Sequence, residues 1–263
     1  MNSISANLNI MIKASEKASK ILIRDFGEVE KLQISVKGPS DFVSNADTKA
    51  EKIIINELMK AKKNYSILSE ECGSKINSDS ENVWIIDPID GTTNFLHGVP
   101  HFAISIALKS NNEIVSGLIY DPIKDEMFIA EKGNGSYLNN QRTRVSARSK
   151  LKDCIIFTGG PRQNSKDKEL SFAEYRNFSA VVETPIRKMG SASLDMAYVA
   201  AGRCDGFWQR NLNYWDYAAG IIIVKESGGF VTDFKGNNDY IKNKTILVTN
   251  SRISEEMIKV LKH

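Results

Sequence analysis

The sequence lacks the features that would direct a protein into a membrane or out of the cell. Residues Met1–Lys20 contain no continuous apolar stretch of the kind found in signal peptides, and the longest apolar run, near Ala218–Val224, is far too short to span a bilayer. We therefore expect a cytoplasmic protein that has no membrane partner.

Paired cysteines and an excess of one charge are also missing. Cys72, Cys154 and Cys204 stand at unrelated spacings without a C-x-x-C pair, which argues against a disulfide framework and against a zinc site. The 35 Lys and Arg residues nearly balance the 32 Asp and Glu residues, and a formal charge of +3 is too small for the positive potential of a nucleic-acid-binding surface. The charge therefore argues against direct nucleic-acid binding.

The composition is that of an ordinary folded protein, with 41% hydrophobic and 25% charged residues. A chain of 263 residues can form one compact unit or two closely packed subdomains. No linker or low-complexity stretch divides it. We expect an N-terminal subdomain of residues 1–145 and a C-terminal subdomain of residues 146–263 within one continuous structural unit.

The first half of the chain has the pattern of two helices followed by a series of strands. Apolar residues at steps of three and four predict helices over Ser5–Phe26 and about Asp47–Lys62, with Asp47 as N-cap of the second and the polar loop Lys37–Asp41 between them. Short apolar runs between turn residues predict the strands Tyr65–Leu68, Val83–Ile86, Phe102–Lys109, Ile114–Tyr120, Glu126–Ala130 and Gly135–Leu138. We expect an antiparallel meander that the two helices cover on one face, an α+β arrangement.

The second half alternates between strands and helices, which predicts an α/β arrangement. The predicted strands are Cys154–Thr158, Asp205–Trp208 and Thr245–Thr249. The predicted helices are Lys166–Phe178, Ser193–Ala201, Tyr217–Ser227 and Ser254–Lys262, with Gly228 and Gly229 ending the third of them.

The most informative segment follows the strand that contains Trp84. Asp87 and Asp90 stand three residues apart across Pro88, so both carboxylates can face one ion, and the carbonyl of Ile89 offers another oxygen between them. Oxygen ligands of this kind suit magnesium. Alternatively, the two aspartates only organise an Asx turn and cap the next helix.

Two residues after this acidic pair favour phosphate as the ligand. Gly91 permits close approach of the backbone, and Thr92 stands where a helix could begin. The free N–H groups at a helix N-terminus form a cradle for phosphate.

Two further acidic sites lie where a strand or loop meets the next element. Glu70 and Glu71 follow the first predicted strand, and Asp216 precedes an apolar helix. Taken alone, Asp216 reads as an N-cap and Glu70 or Glu71 as a solvated loop charge. The combination of three acidic sites favours a metal centre.

The motifs resemble those of the inositol monophosphatase family. The segment Asp87-Pro-Ile-Asp90-Gly-Thr92-Thr is similar to the first signature of that family, and Trp215-Asp216-Tyr-Ala-Ala-Gly220 is similar to the second. The resemblance extends in order over nearly the whole chain, through Asp41–Ser44 with Asp47, Ser69–Glu71, and Gly190–Ser193 before Asp205.

The resemblance implies a layered αβαβα sandwich, a homodimer, and a lithium-sensitive, magnesium-dependent phosphatase that uses two to three ions. It implies metal ligands at Glu70, Asp87, the Ile89 carbonyl, Asp90 and Asp216. It implies catalytic roles for Glu70 and Thr92, which would position the attacking water, and for Asp47. It implies substrate contacts at Ile89, Asp90, Gly91, Thr92, Gly190, Ser191, Ala192, Gln209 and Asp216. Two metal ions can stabilise both the attacking and the leaving oxygen of a phosphate monoester.

One position departs from the family pattern. Inositol-specific members usually have a glutamate seven residues before the second-signature aspartate, and this chain has Gln209 there, followed by Arg210. Glutamine keeps one acceptor oxygen, loses the charge and gains a donor. Our hypothesis is that Gln209 and Arg210 broaden acceptance from myo-inositol monophosphate toward other small sugar or polyol phosphates.

Two alternatives remain open at this point. A related phosphatase acting on fructose 1,6-bisphosphate, a 3′-phosphoadenosine nucleotide or histidinol phosphate would share the same metal motifs. A regulatory protein of this fold that contacts RNA or the transcription machinery is the alternative from another class. Retained carboxylates disfavour a purely regulatory role, because clustered acidic groups repel one another without an ion.

Overall fold

The computed structural model describes residues 4–28, 39–160 and 166–262, with the backbone only for residues 39–44. Two helices begin the chain, α1 (Ala6–Phe26) and α2 (Pro39–Ala61). They pack against each other through an apolar seam that includes Met11, Leu22 and Ile54.

A large mixed sheet follows the two helices. Its strands, in chain order, are β1 (Tyr65–Ser69), β2 (Gly73–Lys75), β3 (Asp79–Asp90), β4 (Ala103–Ser110), β5 (Glu113–Asp121), β6 (Glu126–Glu131), β7 (Gly135–Leu138) and β8 (Gln141–Arg142), with the short helix α3 (Thr92–Leu96) between β3 and β4. From β3 to β8 the strands form the predicted antiparallel meander, but β1 pairs with β3 in parallel and carries β2 on its other edge.

A smaller sheet forms in the second half of the chain. The elements are a 3-10 turn at Leu151–Asp153, β9 (Ile156–Thr158), α4 (Lys168–Val181), α5 (Ala192–Ala200), β10 (Gly206–Arg210), α6 (Tyr214–Glu226), β11 (Phe230–Thr232), α7 (Tyr240–Asn243), β12 (Thr245–Thr249) and α8 (Ser254–Leu261). The strand order is β11-β12-β10-β9, with β9 parallel to β10.

Alternating side chains show how these elements stack into five layers. In β3, Ile86 packs among residues of α1 and α2, whereas its neighbour Ile85 packs with α5 and α6. In β10, Phe207 joins this same middle core, whereas Trp208 packs with Phe178 of α4 and other residues of an outer core. The order is therefore helix, sheet, helix, sheet, helix, which confirms the expected αβαβα sandwich.

Several predicted boundaries were wrong. The second helix begins at Pro39 rather than Asp47, so Asp47 lies inside α2 and is not an N-cap. Proline is well suited to the first turn of a helix, where its missing N–H has no acceptor to serve. Residues 37 and 38 of the predicted loop lie outside the described residues, and the rest of it, from Pro39, is helical.

The strand that carries the acidic pair is also longer than predicted. It runs over Asp79–Asp90, with an irregular register between Asp87 and Asp90. Pro88 fits at such a bulge because no ladder hydrogen bond needs its nitrogen. Among the described residues, no helix is both long enough and apolar enough to cross a bilayer.

Candidate active site

The bulge at the end of β3 turns its two aspartates toward the middle layer. Asp87 is 1% exposed and its Oδ1 accepts a hydrogen bond from the Ile89 N–H at 3.0 Å. This contact is the Asx turn that the sequence allowed. The side chain of Asp90 does not cap α3, because the N-cap position of that helix is Gly91.

Asp90 instead joins β3 to the beginning of α5. Its Oδ2 accepts hydrogen bonds from Ser191 Oγ at 2.6 Å, from Ser193 N at 2.7 Å and from Ser193 Oγ at 2.5 Å. Burial raises the pKa of Asp90, and these serine hydrogen bonds oppose that rise. One oxygen of Asp90 is thus fixed by the protein.

Asn94 of α3 holds the loop before α5 against the same turn. Its Nδ2 donates to the carbonyl oxygens of His101 at 2.7 Å and Met189 at 2.8 Å. Gly91 lies beneath this loop with a φ of 100°, and a Cβ there would come within 3.3 Å of the Gly190 carbonyl oxygen. Only glycine permits this close approach in a left-handed conformation.

A cavity of about 400 Å³ opens between these elements. Every site residue that the sequence predicted, except Asp47, lines it; they are Glu70, Asp87, Ile89, Asp90, Gly91, Thr92, Gly190, Ser191, Ala192, Gln209 and Asp216. The side chains come from the end of β1, the end of β3, the start of α5, β10 and the start of α6.

Burial and the mutual repulsion of carboxylates together shape the electrostatics of this cavity. Burial raises the pKa of Asp87 well above its usual range, and the negative charges of Asp90, Glu70 and Asp216 raise it further. A side-chain interaction with Glu70 raises the pKa of Asp87 as well. A divalent cation bound among these carboxylates would relieve the repulsion.

The donor atoms in this cavity suit a hard cation. Carboxylates of Glu70, Asp87, Asp90 and Asp216 and the Ile89 carbonyl are all oxygen ligands, the type that magnesium prefers. In the part of the chain that the structure describes, no three His, Cys, Asp or Glu side chains are already arranged as a metal cage. Asp87, Asp90 and Asp216 each use an oxygen to accept hydrogen bonds from the chain, so a cation would bind through the oxygens that remain.

Comparisons with known proteins agree with this geometry. The family model described as "Inositol monophosphatase family" matches residues 5–263. The chain belongs to the inositol monophosphatase family. An inositol-1-monophosphatase of Mesorhizobium japonicum is 48% identical over 258 residues, covering 98% of this chain and 97% of the relative.

Two further relatives carry a different name. A protein named Nus factor SuhB from Haemophilus influenzae is 38% identical and covers 97% of this chain and 95% of its own length. The crystal structure of extragenic suppressor protein suhB from Bartonella henselae superimposes with a TM-score of 0.91 at 53% identity, covering 98% of this chain and 99% of that one. Both relatives match this chain over nearly their whole length.

Asp216 lies three residues inside its helix. The family's second signature forms the first turn of α6, whose N-cap is Asn213. Asp216 Oδ2 accepts a hydrogen bond from the Asn213 N–H at 2.9 Å. The alternative explanation of Asp216 as an N-cap therefore does not hold, because the helix begins one turn before the predicted start, at Tyr214.

Asp47 lies apart from the cavity wall. Burial, and then the charges of Glu71, Glu70 and Glu51, raise the pKa of Asp47 to about 8. It therefore belongs to a second group of carboxylates behind Glu70. The side chains of Asp41 to Ser44, part of the family resemblance, lie outside the described residues.

Several residues of the cavity could not be identified from the sequence. Asp195 is 1% exposed and lines the cavity, and among the described residues neither of its carboxylate oxygens has a hydrogen-bond partner. Burial and the charge of Asp90 raise the pKa of Asp195. A charged residue in the apolar run Leu194–Ala197 was the available signal. Other lining residues that the sequence did not indicate are Thr93, Asn94, Gly159, Gly160, Leu212 and Asn213.

Gln209 and Arg210 have different surroundings. The Gln209 side chain lines the cavity, as expected. The guanidinium of Arg210 forms an ion pair with Glu174 and lies 4.8 Å from the centre of the Phe234 ring. Arg210 is therefore neutralised by a buried carboxylate and lines a separate small pocket, so its assumed part in substrate selection is not supported.

Proposed function

We propose that this family member is a magnesium-dependent phosphomonoesterase that hydrolyses myo-inositol monophosphate, or a similar small polyol phosphate, to the free alcohol and inorganic phosphate. The observation that carries this proposal is the convergence of Glu70, Asp87, Asp90 and Asp216 on one cavity beside the tight turn at Gly91. The carboxylates can bind metal ions, and the turn at Gly91 can hold a phosphate group. Hydrolysis of a phosphate monoester needs both of these parts.

Magnesium is the cation that this donor set fits best. Glu70, Asp87, the Ile89 carbonyl, Asp90 and Asp216 would hold two ions, and a third would bind more weakly with the help of Asp47. When bound, the ions supply an activated water and neutralise charge on the phosphate and on the leaving alkoxide.

The chain itself orients the reacting groups. Thr92 Oγ1 donates to the Ile89 carbonyl at 3.0 Å, which fixes the hydroxyl at the cavity wall. In our proposal Thr92 and Glu70 position the attacking water and Glu70 accepts its proton. Asp47, with a pKa of about 8, can hold or release a proton behind Glu70.

The substrate would lie across the mouth of the cavity. Backbone groups of Gly91 and Thr92 would hold the phosphate. The loop Gly190–Ala192 would contact ring hydroxyls on one side, and Gln209 and Asp216 would contact them on the other. The hydrogen bonds from Ser191 and Ser193 to Asp90 fix this loop relative to the carboxylates of the cavity.

A panel of substrates tests the reaction and its specificity together. Phosphate release by the purified protein would be measured for myo-inositol monophosphate, fructose bisphosphate, a 3′-phosphoadenosine nucleotide and histidinol phosphate, each with magnesium and with EDTA. The proposal expects the highest kcat/KM for the inositol ester and none without magnesium. A higher kcat/KM for another compound would identify that compound as the preferred substrate. No turnover of any compound would contradict the proposed phosphatase activity.

A second candidate function is contact with the transcription machinery. Its support is the Nus factor name of a relative that is 38% identical over nearly the whole chain. Antitermination in a reconstituted transcription reaction tests it, with Asp90→Asn as the comparison. If the regulatory role is independent of catalysis, the wild type and Asp90→Asn should cause equal antitermination. No effect of either protein would contradict the role.

Four finer properties complete the proposal. We expect a cytoplasmic homodimer that lithium inhibits, and two subdomains that meet near residue 145. Light scattering of the purified protein tests the dimer, for which a monomer mass at micromolar concentration would be the contrary result. Limited proteolysis near residue 145 tests the division between subdomains.

A further inference from the structure

Basic residues form a stripe along one side of each N-terminal helix. The exposed stripe of α1 consists of Lys13, Lys17, Lys20 and Arg24. The exposed stripe of α2 consists of Lys49, Lys52 and Lys60. At 100° per residue, the members of each stripe fall within about a quarter of the helix circumference. We call these seven residues the basic face.

Contacts between the two helices place the stripes side by side. Glu57 of α2 forms ion pairs with Lys17 of α1 at 2.7 Å and with Lys60 at 2.8 Å. Lys13, one turn before Lys17, lines a groove together with Lys60, which follows Glu57. The helices therefore run in opposite directions, and the basic face extends from Lys13 to Arg24, roughly 16 Å at 1.5 Å per residue.

The positive excess of the chain is concentrated on this face. Three acidic residues adjoin it, namely Glu16, Asp25 and Glu57, and Asp25 pairs with Arg24 at 2.7 Å. Removing the seven basic and three acidic residues from the 35 and 32 of the chain leaves 28 basic and 29 acidic residues elsewhere. A formal charge of about +4 therefore lies on one surface, which the small net charge of the whole chain does not reveal.

An apolar groove runs between the two stripes. It has a volume of about 180 Å³ and is lined by Ile10, Lys13, Glu57, Lys60 and Ala61. Ile10 and Ala61 are its uncharged residues, and the methylene stems of the two lysines add apolar surface. A ligand on this face would meet an apolar depression flanked by ammonium groups.

The composition of the basic face favours a protein partner over a nucleic acid. Bases of a single strand stack on aromatic side chains, but the only described aromatic ring of these helices, that of Phe26, packs against Phe95 and Phe102. Six of the seven cations are lysines, which lack the bidentate fork that arginine offers to phosphate. An apolar groove also has no counterpart in a phosphate backbone.

The same helices have little apolar surface left for a membrane. Interfacial helices bind lipid by burying their apolar face in it. Here the apolar residues of both helices, such as Met11 and Ile54, are buried in the core formed with the large sheet. Ile23 of α1, which is 44% exposed, is a single exposed side chain. An acidic protein segment therefore fits this surface better than a lipid headgroup layer.

We propose that the basic face is a docking site for an acidic protein segment that carries one apolar side chain. The carboxylates of the segment pair with Lys13, Lys20 and Lys52, which form no ion pair within the described part of the chain. Its apolar side chain enters the groove beside Ile10. The face lies on the outer side of the large sheet, whereas the cavity lies on the inner side, so this inference does not depend on the proposed phosphatase function.

Fluorescence anisotropy with labelled synthetic peptides tests the site. The probe is a peptide of about eight residues, with a central leucine among alternating glutamate and serine; in extended form it spans the face at roughly 3.3 Å per residue. Its matched peptide has serine in place of the leucine. The protein variants are Lys13→Glu with Lys20→Glu, and Ile10→Ser. Lys242→Glu with Lys259→Glu is the control, because these are exposed lysines of α7 and α8.

We expect the leucine peptide to bind the wild type, and the double change at Lys13 and Lys20 to weaken binding at least about tenfold, because two attractions become repulsions. Added salt should weaken binding by the wild type. Removal of the leucine and Ile10→Ser should each weaken binding about threefold, and together no more than either alone, because both remove the same contact. The control should bind as the wild type does, and thermal unfolding should show that every variant is folded.

Unchanged binding by the folded variant of Lys13 and Lys20, or no binding of the leucine peptide to the wild type at low salt, would overturn the docking site. Equal binding of the leucine and serine peptides would overturn the apolar anchor. An RNA duplex, and vesicles of equal parts phosphatidylcholine and phosphatidylserine, are titrated in parallel. Tighter binding of either than of the leucine peptide, lost in the same variant, would overturn the assignment to a protein partner.

Discussion

Buried carboxylates are the most unusual residues of this protein. Asp87 and Asp90 could be recognised in the sequence because they follow an apolar strand and flank a proline. Glu70 and Asp216 could be recognised only with them, since each alone has an ordinary structural explanation. Asp195 offered only the signal of a charge within an apolar run, and its place at the cavity depends on the tertiary packing of α5.

Asp47 provides a prediction about pH at the residue scale. Its pKa rises from 3.8 to about 8 in the folded protein, so between these values the folded state holds a proton that the unfolded state has lost. Its contribution to stability is therefore complete below about pH 4 and disappears as the pH rises toward about 8. Without metal, the melting temperature of Asp47→Asn relative to wild type should rise by on the order of 10 °C between about pH 5 and about pH 8, because the pKa difference acts over almost three pH units, or roughly 4 kcal/mol.

Thermal unfolding in EDTA at several pH values measures this difference. Asp153→Asn is the matched control, because Asp153 is an exposed aspartate, and its difference from wild type should not vary with pH. A pH-independent difference for Asp47→Asn as well would show that Asp47 is already ionised in the folded protein and would contradict the prediction.

Element types followed from the sequence more reliably than element ends. The strand Gly135–Leu138 and the strand Thr245–Thr249 were predicted to the residue. The start of α2 was missed because Pro39–Asn45 is a polar stretch with the composition of a loop. Short elements such as β2, β8 and α7 contain too few residues to show any periodicity.

The turn from β3 into α3 gives a prediction at the element scale. Gly91→Ala would place a Cβ 3.2 Å from the His101 carbonyl and 3.3 Å from that of Gly190, at a φ of 100°. The left-handed strain alone costs roughly 1–2 kcal/mol, and the displaced loop should reduce phosphate affinity. Chemical denaturation and inhibition by inorganic phosphate would measure the two effects.

Gly98→Ala is the control for this turn. Gly98 has a φ of 69°, and in the part of the chain that the structure describes nothing lies within 4 Å of an added Cβ, so it shares the strain without the close approach. We expect Gly98→Ala to lose a similar amount of stability but to keep its inhibition by phosphate. Equal loss of phosphate inhibition in both variants would mean that the close approach at Gly91 does not determine the geometry of the phosphate-binding site.

The whole molecule is organised around its middle helical layer. Nine of the 13 residues of α6 are buried, over the continuous run from Asp216 to Val224, because sheets pack on both sides of the helix. A helix that is apolar all round indicates such burial, but the sequence does not say which sheets enclose it. The antiparallel meander was predictable from neighbouring strands, whereas the parallel pairing of β1 with β3 and the five-layer order depend on contacts between distant segments.

Close packing in the middle layer leads to a prediction at this scale. Gly117 of β5 lies against α6, and an added Cβ would be 2.5 Å from the Ile222 Cγ2 and 2.7 Å from the Ala219 carbonyl oxygen. Overpacking of this kind costs about 1–3 kcal/mol, so Gly117→Ala should lower the free energy of unfolding by that amount. Denaturant unfolding checks it, with Gly27→Ala as the control.

Gly27 follows α1 with a φ of −66°, and its added Cβ would make only ordinary contacts, at 3.5 Å and beyond. We expect Gly27→Ala to be nearly neutral. If Gly117→Ala is as stable as this control, the separation of α6 from the large sheet is greater than the structure indicates.

The most direct test of the account is the rate of phosphate release from myo-inositol monophosphate as a function of magnesium, with and without lithium, for wild type and Asp90→Asn. We expect no turnover in EDTA, saturation with magnesium, and inhibition by lithium. Because second-shell changes at metal sites already cost about 10–100-fold, loss of the Asp90 carboxylate should cost at least that much. Equal rates in EDTA and magnesium, or an Asp90→Asn variant as active as wild type, would contradict a magnesium centre in this cavity.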